Sequence, residues 1–201
     1  MNPVLGSGFK RLACHLYDTE SAQALRYARS LTEDLTNEEL NWQPRSGHHS
    51  LWHHVWHMFL VQDYYRAGAF HRPAVWESGN WAARIDLAGM AAAFAQAGRG
   101  NEHIPRFAIM DVPDVLVDDL KAPPLPQYLA YAEQMVAEWK AVLEAATEEQ
   151  LGRDLISNGR PTTVVRQAIY SGHTFRHLGM MEDLRGLIRG PGQGSATARS
   201  G

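Results

Sequence analysis

Apolar residues recur at helical intervals along most of the chain, and no stretch alternates apolar with polar residues convincingly at period two. The first run extends from Phe9 to about Leu35. Leu12, Leu16, Ala24, Ala28, Leu31 and Leu35 share one stripe, with no glycine or proline inside. Thr36 to Leu40 reads as a short capped turn, and the stretch from Asn41 to Gly47 breaks regular structure. A second helix is expected from a Ser50 N-cap to about Ala67, bounded by Gly68 and Pro73. A third begins after Pro126 and runs to about Ala146, burying Leu129, Val136, Trp139 and Leu143. A fourth begins at Thr162 or Thr163 and runs to about Arg189, stopped by Gly190-Pro191-Gly192. Gly172, Gly179 and Gly186 repeat every seven residues within it and suggest a seam where another helix approaches closely.

Residues 70–122 form one long excursion between the second and third helices, partly helical from Trp76 to Ala97. The pattern predicts an all-α fold, a four-helix bundle with a long crossover between helices two and three. One domain is expected over residues 1–189, followed by a mobile tail over 190–201 rich in Gly, Ser and Ala.

Composition narrows the function classes. The 201 residues suffice for one sizeable core. A net charge of −3 carries no basic excess for nucleic acid. No apolar run approaches the roughly 20 residues that span a bilayer, and the N-terminus lacks the layout of an export signal. The lone Cys14 excludes an internal disulfide and a multi-cysteine metal site, and reads as a packed thiol. A reducing cytoplasm is the expected location.

Ten histidines are about twice the number expected for this length. Five of them, His48, His49, His53, His54 and His57, fall within ten residues. His173 and His177 stand four apart, one turn from each other on one helical face. Ile169, His173, His177, Met180 and Leu184 form a stripe expected to face the bundle interior. In the second helix His53, His57, Leu60 and Tyr64 form another, widened by Trp52, Trp56 and Phe59, which read as core. Two surface histidines four apart arise easily by chance. Three imidazoles on core-facing stripes are better explained by a shared ion, because unpartnered polar groups are costly to bury. His57, His173 and His177 are the expected ligands of one divalent metal ion. His53 is a candidate group behind the ligands or in contact with substrate, and Tyr64 a candidate for substrate contact. Nitrogen ligation suits Zn²⁺, Ni²⁺, Cu²⁺ or Fe²⁺ rather than Mg²⁺ or Ca²⁺. Three protein ligands leave a position for water or substrate, as in a catalytic site. Thr174, Phe175 and Arg176 stand between the paired histidines, so the glutamate of a metalloprotease helix is missing. Glu182 and Arg185 read as a surface ion pair.

Three segments resemble the DinB-like (DinB/YfiT) superfamily. Ser50-Leu51-Trp52-His53-His54-Val55-Trp56-His57 is similar to its serine-apolar opening with a ligand histidine seven residues on. The segment from Val75 to Arg84 is similar to the Trp-Glu stretch that follows its second helix. The segment from His173 to Leu187 resembles its closing H-x-x-x-H signature, with a glycine and then Leu184-Arg185-Gly186. The resemblance spans roughly residues 10–189 and maps the family's metal triad onto His57, His173 and His177. It implies a four-helix bundle, a homodimer, and a divalent ion with Zn²⁺ or Ni²⁺ ahead of Fe²⁺. It also implies a small-molecule substrate, with a low-molecular-weight cellular thiol in an S-transferase reaction as the leading reading. Metal-dependent hydrolysis and a non-enzymatic stress-related metal-binding role are the alternatives. The stretch 85–122 is longer than in a minimal member, so the substrate does not carry over.

Overall fold

The computed structural model describes residues 8–86, 124–157, 159–170 and 172–190. Four long helices form its body: α1 (Gly8–Thr32), α3 (Leu51–Phe70), α6 (Leu125–Ala145) and α9 (Gly172–Arg189). Shorter pieces connect them: α2 (Asn37–Asn41), α4 (Val75–Ser78), α5 (Trp81–Arg84), α7 (Glu148–Gly152) and α8 (Val164–Ile169). A small antiparallel hairpin, β1 (Asp154–Ser157) with β2 (Arg160–Thr163), precedes α8 and pairs Asp154 with Thr163 and Ser157 with Arg160. The class is all-α, as the periodicity predicts. Each long helix packs on two neighbours in the cyclic order α1, α6, α3, α9, so α1 lies diagonally from α3 and α6 from α9. No described helix is long and apolar enough to cross a membrane.

Helix α3 is the centre of the core. Nearly every residue from Leu51 to Ala69 is buried, including the polar His53, His54, His57, Gln62, Asp63 and Arg66. A helix buried on all sides is normally apolar all round. Here each embedded polar group faces a specific neighbour or another histidine. Asp63, fully buried, accepts four hydrogen bonds: from the backbone N–H of Val75 (3.0 Å) and Trp76 (2.8 Å), from the Tyr131 hydroxyl (2.9 Å) and from Trp139 Nε1 (2.6 Å). One carboxylate thereby ties α3 to α4 and α6. Burial still raises its pKa, against the lowering effect of those donors. Arg66 donates to the Ala168 carbonyl (3.0 Å) and to Ser21 (3.4 Å), and stacks over the Tyr17 ring at 4.6 Å.

Several expectations are corrected. The fourth helix is not continuous from Thr162 or Thr163: Thr163 caps α8, the chain turns extended at Tyr170, and α9 starts afresh at Gly172. The turn brings Gly172 against the Tyr170 ring, where a Cβ would stand 3.1 Å from ring atoms. Gly179 marks no seam, since a Cβ there would meet nothing within 4 Å. The second helix runs past Gly68 to Phe70 and ends on His71 in the left-handed region (φ 51°). In α1 the buried stripe is Ala13, Tyr17, Ser21, Ala24, Ala28 and Leu31, while Leu12 is exposed. Glu182 and Arg185 are not a surface pair. Arg185 is buried and grips the Leu31 carbonyl (2.9 Å) and both carboxylate oxygens of Asp34 (2.8 Å each), and Glu182 accepts from the Tyr27 hydroxyl. Cys14 is half-buried against the core, as expected of a packed thiol. Residues 87–122, the bulk of the long crossover, and the tail beyond Gly190 lie outside the described residues.

Asp63→Ala would strand four buried donors at once, so urea unfolding should register a loss of more than about 3 kcal/mol. A loss below about 1 kcal/mol would show that the carboxylate is not the clasp between α3, α4 and α6.

Candidate metal centre

The site is assembled where the first turns of α3 meet the first turns of α9, the most extensive pairing among the described helices. Ser50 caps α3 by accepting from the His53 amide (3.3 Å), which sets the phase of the histidine run. The start of α9 is held by side chains further down α3. Gln62 donates to the Tyr170 carbonyl (2.8 Å) and Arg66 to the Ala168 carbonyl. These two bonds anchor the break between α8 and α9 and so fix where His173 and His177 stand.

His57 Nε2 lies 3.0 Å from His173 Nε2, and His177 Nε2 lies 3.1 Å from the same atom. One nitrogen from each of the three rings falls within 4.8 Å of the others, and among the described residues this is the one such group with metal-ligating chemistry. Metal–nitrogen bonds of about 2.0–2.1 Å in a tetrahedron set the nitrogens about 3.3–3.4 Å apart. The two closest separations fall within a few tenths of an ångström of that spacing, so the residues fit a small divalent ion. The donor set fits as well, because hydrogen bonding alone satisfies the cluster poorly. The Nε2 of His173 faces two other ring nitrogens and carries at most one proton, while its buried Nδ1 has no partner among the described residues.

Burial keeps His53, His54, His173 and His177 neutral. It pushes the His54 and His173 imidazoles down to about 4 and His177 to about 2, with neighbouring positive groups adding to the effect at each; His53 is driven well below its ordinary value by the same cause. Neutral rings are the form that ligates metals.

The predicted triad is therefore brought together. His177 is buried and His173 half-buried at the rim. The stripe expected around them is rotated: Met180 is exposed, Ile169 belongs to α8, and the buried face of α9 is Thr174, His177, Leu178, Met181, Leu184 and Arg185. Trp52 and Trp56 are fully buried core residues, stacked on each other at 5.5 Å. His53 is buried behind His57, their rings parallel at 6.0 Å, with its edge against His49 at 3.9 Å. Neither of its ring nitrogens has a hydrogen-bond partner among the described residues. Tyr64 lies two turns along α3 from His57, and its hydroxyl donates to Glu77 (3.3 Å). Sequence reasoning missed His54, whose Nδ1 lies 2.9 Å from His177 Nδ1. The available signal was its spacing, three residues before His57 and so on the same helical face. A cleft of about 620 Å³ opens beside the cluster, lined by His54 and His177 with Pro44, Met180, Leu184 and Leu187 among its other residues.

A chain with these imidazoles should lose stability on acidification when metal is removed. The unfolded rings protonate near 6.5 and the folded ones only near 4 or below, so the unfolded state binds more protons in that interval. Stability is fully present above pH 6.5 and is lost as pH falls toward 4. In chelator-treated protein, urea titrations should show little change from pH 8 to 7 and a fall on the order of 2 kcal/mol for each shifted ring from pH 6.5 to 4.5. A flat profile would contradict the neutral, buried cluster.

A family model of the DinB superfamily matches residues 20–181. The match contains all three histidines of the triad, His53, His54 and the whole of α3. No curated protein matches the chain.

Proposed function

The chain belongs to the DinB superfamily, and from that premise we propose that it is a divalent-metal-dependent enzyme transferring a small thiol to an electrophilic substrate. The observation that carries the proposal is the convergence of the His57, His173 and His177 nitrogens beside a cleft with mostly apolar walls. Three neutral nitrogen ligands favour Zn²⁺ or Ni²⁺, with Fe²⁺ also compatible. When bound, such an ion supplies a Lewis-acidic position that favours the thiolate form of a thiol.

The protein's own residues would do the rest. His57, His173 and His177 hold the ion at the α3–α9 junction. Burial of these rings keeps protons from competing for the ligand positions. The apolar walls at Met180, Leu184 and Leu187 admit an apolar substrate portion and limit water, which disfavours hydrolysis of the electrophile. Of the two candidates for substrate contact, the Tyr64 hydroxyl is engaged with Glu77, and His53 sits behind His57. Substrate contact therefore falls first to histidines at the cleft, His48, His49 and His54. A homodimer acting on a cellular thiol completes the proposal.

Purified chain loaded with Zn²⁺ or Ni²⁺ should bind about one ion per chain and consume a low-molecular-weight thiol with an electrophile panel. His57→Ala or His173→Ala should weaken metal binding at least 100-fold and abolish turnover. Metal-dependent turnover that needs no thiol and rises with pH near neutrality would replace transfer with hydrolysis. Unchanged metal content in His173→Ala would overturn the site itself.

A further inference from the structure

The contact between His54 Nδ1 and His177 Nδ1, 2.9 Å long and buried, lies outside the triad and carries a consequence of valence. A neutral imidazole has one N–H and one lone pair. The Nε2 of His177 points at the Nε2 of His173, which in turn faces that of His57. For all three Nε2 atoms to offer lone pairs to one cation, His177 must carry its proton on Nδ1. That N–H then points at His54 Nδ1, which must be the acceptor, so His54 carries its own proton on Nε2. We infer that His54 is a positioning residue for the metal centre: it accepts the Nδ1–H of His177 and thereby fixes the tautomer and ring angle that present His177 Nε2 as ligand. The inference rests on the metal-centre reading above.

The fold favours this pairing. His54 and His57 are three apart on α3, so one helix face holds both a ligand and the acceptor behind another ligand. His54 is 7% exposed and its backbone lies in the capped first turn of α3, so it has little freedom to swing away. A ligating imidazole that donates its second N–H to a fixed acceptor is oriented and made more basic by it. Carboxylates and carbonyls usually serve; here a second imidazole does. His54 also borders the cleft.

The test uses the full chain with Zn²⁺ alone as probe. Competition titration against a chromophoric chelator gives the affinity of wild type, His54→Leu and His54→Asn, whose amide oxygen reaches about where Nδ1 stands. Long-range ¹⁵N–¹H spectra of the zinc-loaded wild type give the protonated nitrogen of His177. The expected result is a 10–100-fold weaker affinity for His54→Leu and substantial rescue in His54→Asn. Thermal unfolding of the chelated variants should stay near wild type, and His177 should be protonated at Nδ1 and zinc-bound at Nε2. Equal affinity in all three proteins, or zinc on His177 Nδ1, would overturn the role of His54 while leaving the triad standing. A wild type that binds no Zn²⁺ would remove the metal centre and this role with it. Should His54→Leu fail to fold, the His177 spectrum of the wild type decides by itself.

Discussion

Burying imidazole without charge is the constraint on which this molecule turns. Helix α3 passes through the middle of the bundle, and a leucine at each of its histidine positions would make a simpler core. Instead three histidines from α3 and two from α9 crowd one end of it, and burial holds His53, His54, His173 and His177 neutral. Neutral rings packed nitrogen to nitrogen cannot all satisfy one another, because every N–H needs a lone pair opposite and two of the contacts compete for one atom. A shared cation would resolve the conflict with the atoms already in place.

The remainder of α3 is the counterweight. Asp63 and Arg66 are charged groups buried in the same helix, and both are engaged by several partners. Asp63 holds the Trp-Glu segment of α4 and two aromatic residues of α6. Arg66 and Gln62 clamp the break that separates α8 from α9. The geometry of the centre thus depends on Gln62 and Arg66, about one and a half and two and a half turns along α3 from His57, which position the start of α9 relative to α3. A preorganised site of this kind needs little rearrangement to accept an ion.

What could be read from the sequence follows from what each signal measures. Periodicity and caps located the long helices, because Ser50 and the apolar repeats act locally. The hairpin before α8 was invisible: its four-residue strands are too short and too exposed to alternate, with Ile156 69% exposed. The break at Tyr170 was missed because its cause is tertiary: the Tyr170 carbonyl is held by Gln62 and the Ala168 carbonyl by Arg66, both from another helix. The triad was legible through the i, i+4 spacing of His173 and His177 and the family motif that selected His57. His54 was not, since i, i+4 spacing runs through His53 and His57 while the i, i+3 relation of His54 to His57 is equally valid on a helix. Arg185 looked like half of a surface pair because Asp34, its partner, lies 151 residues away in the sequence.

X-ray absorption on the zinc-loaded chain addresses the central claim most directly. Three imidazole nitrogens at about 2.0–2.1 Å, with the outer-shell scattering of their rings, are the predicted result. Fewer than two imidazoles in the coordination shell, or a shell made of carboxylate and solvent oxygens, would contradict it.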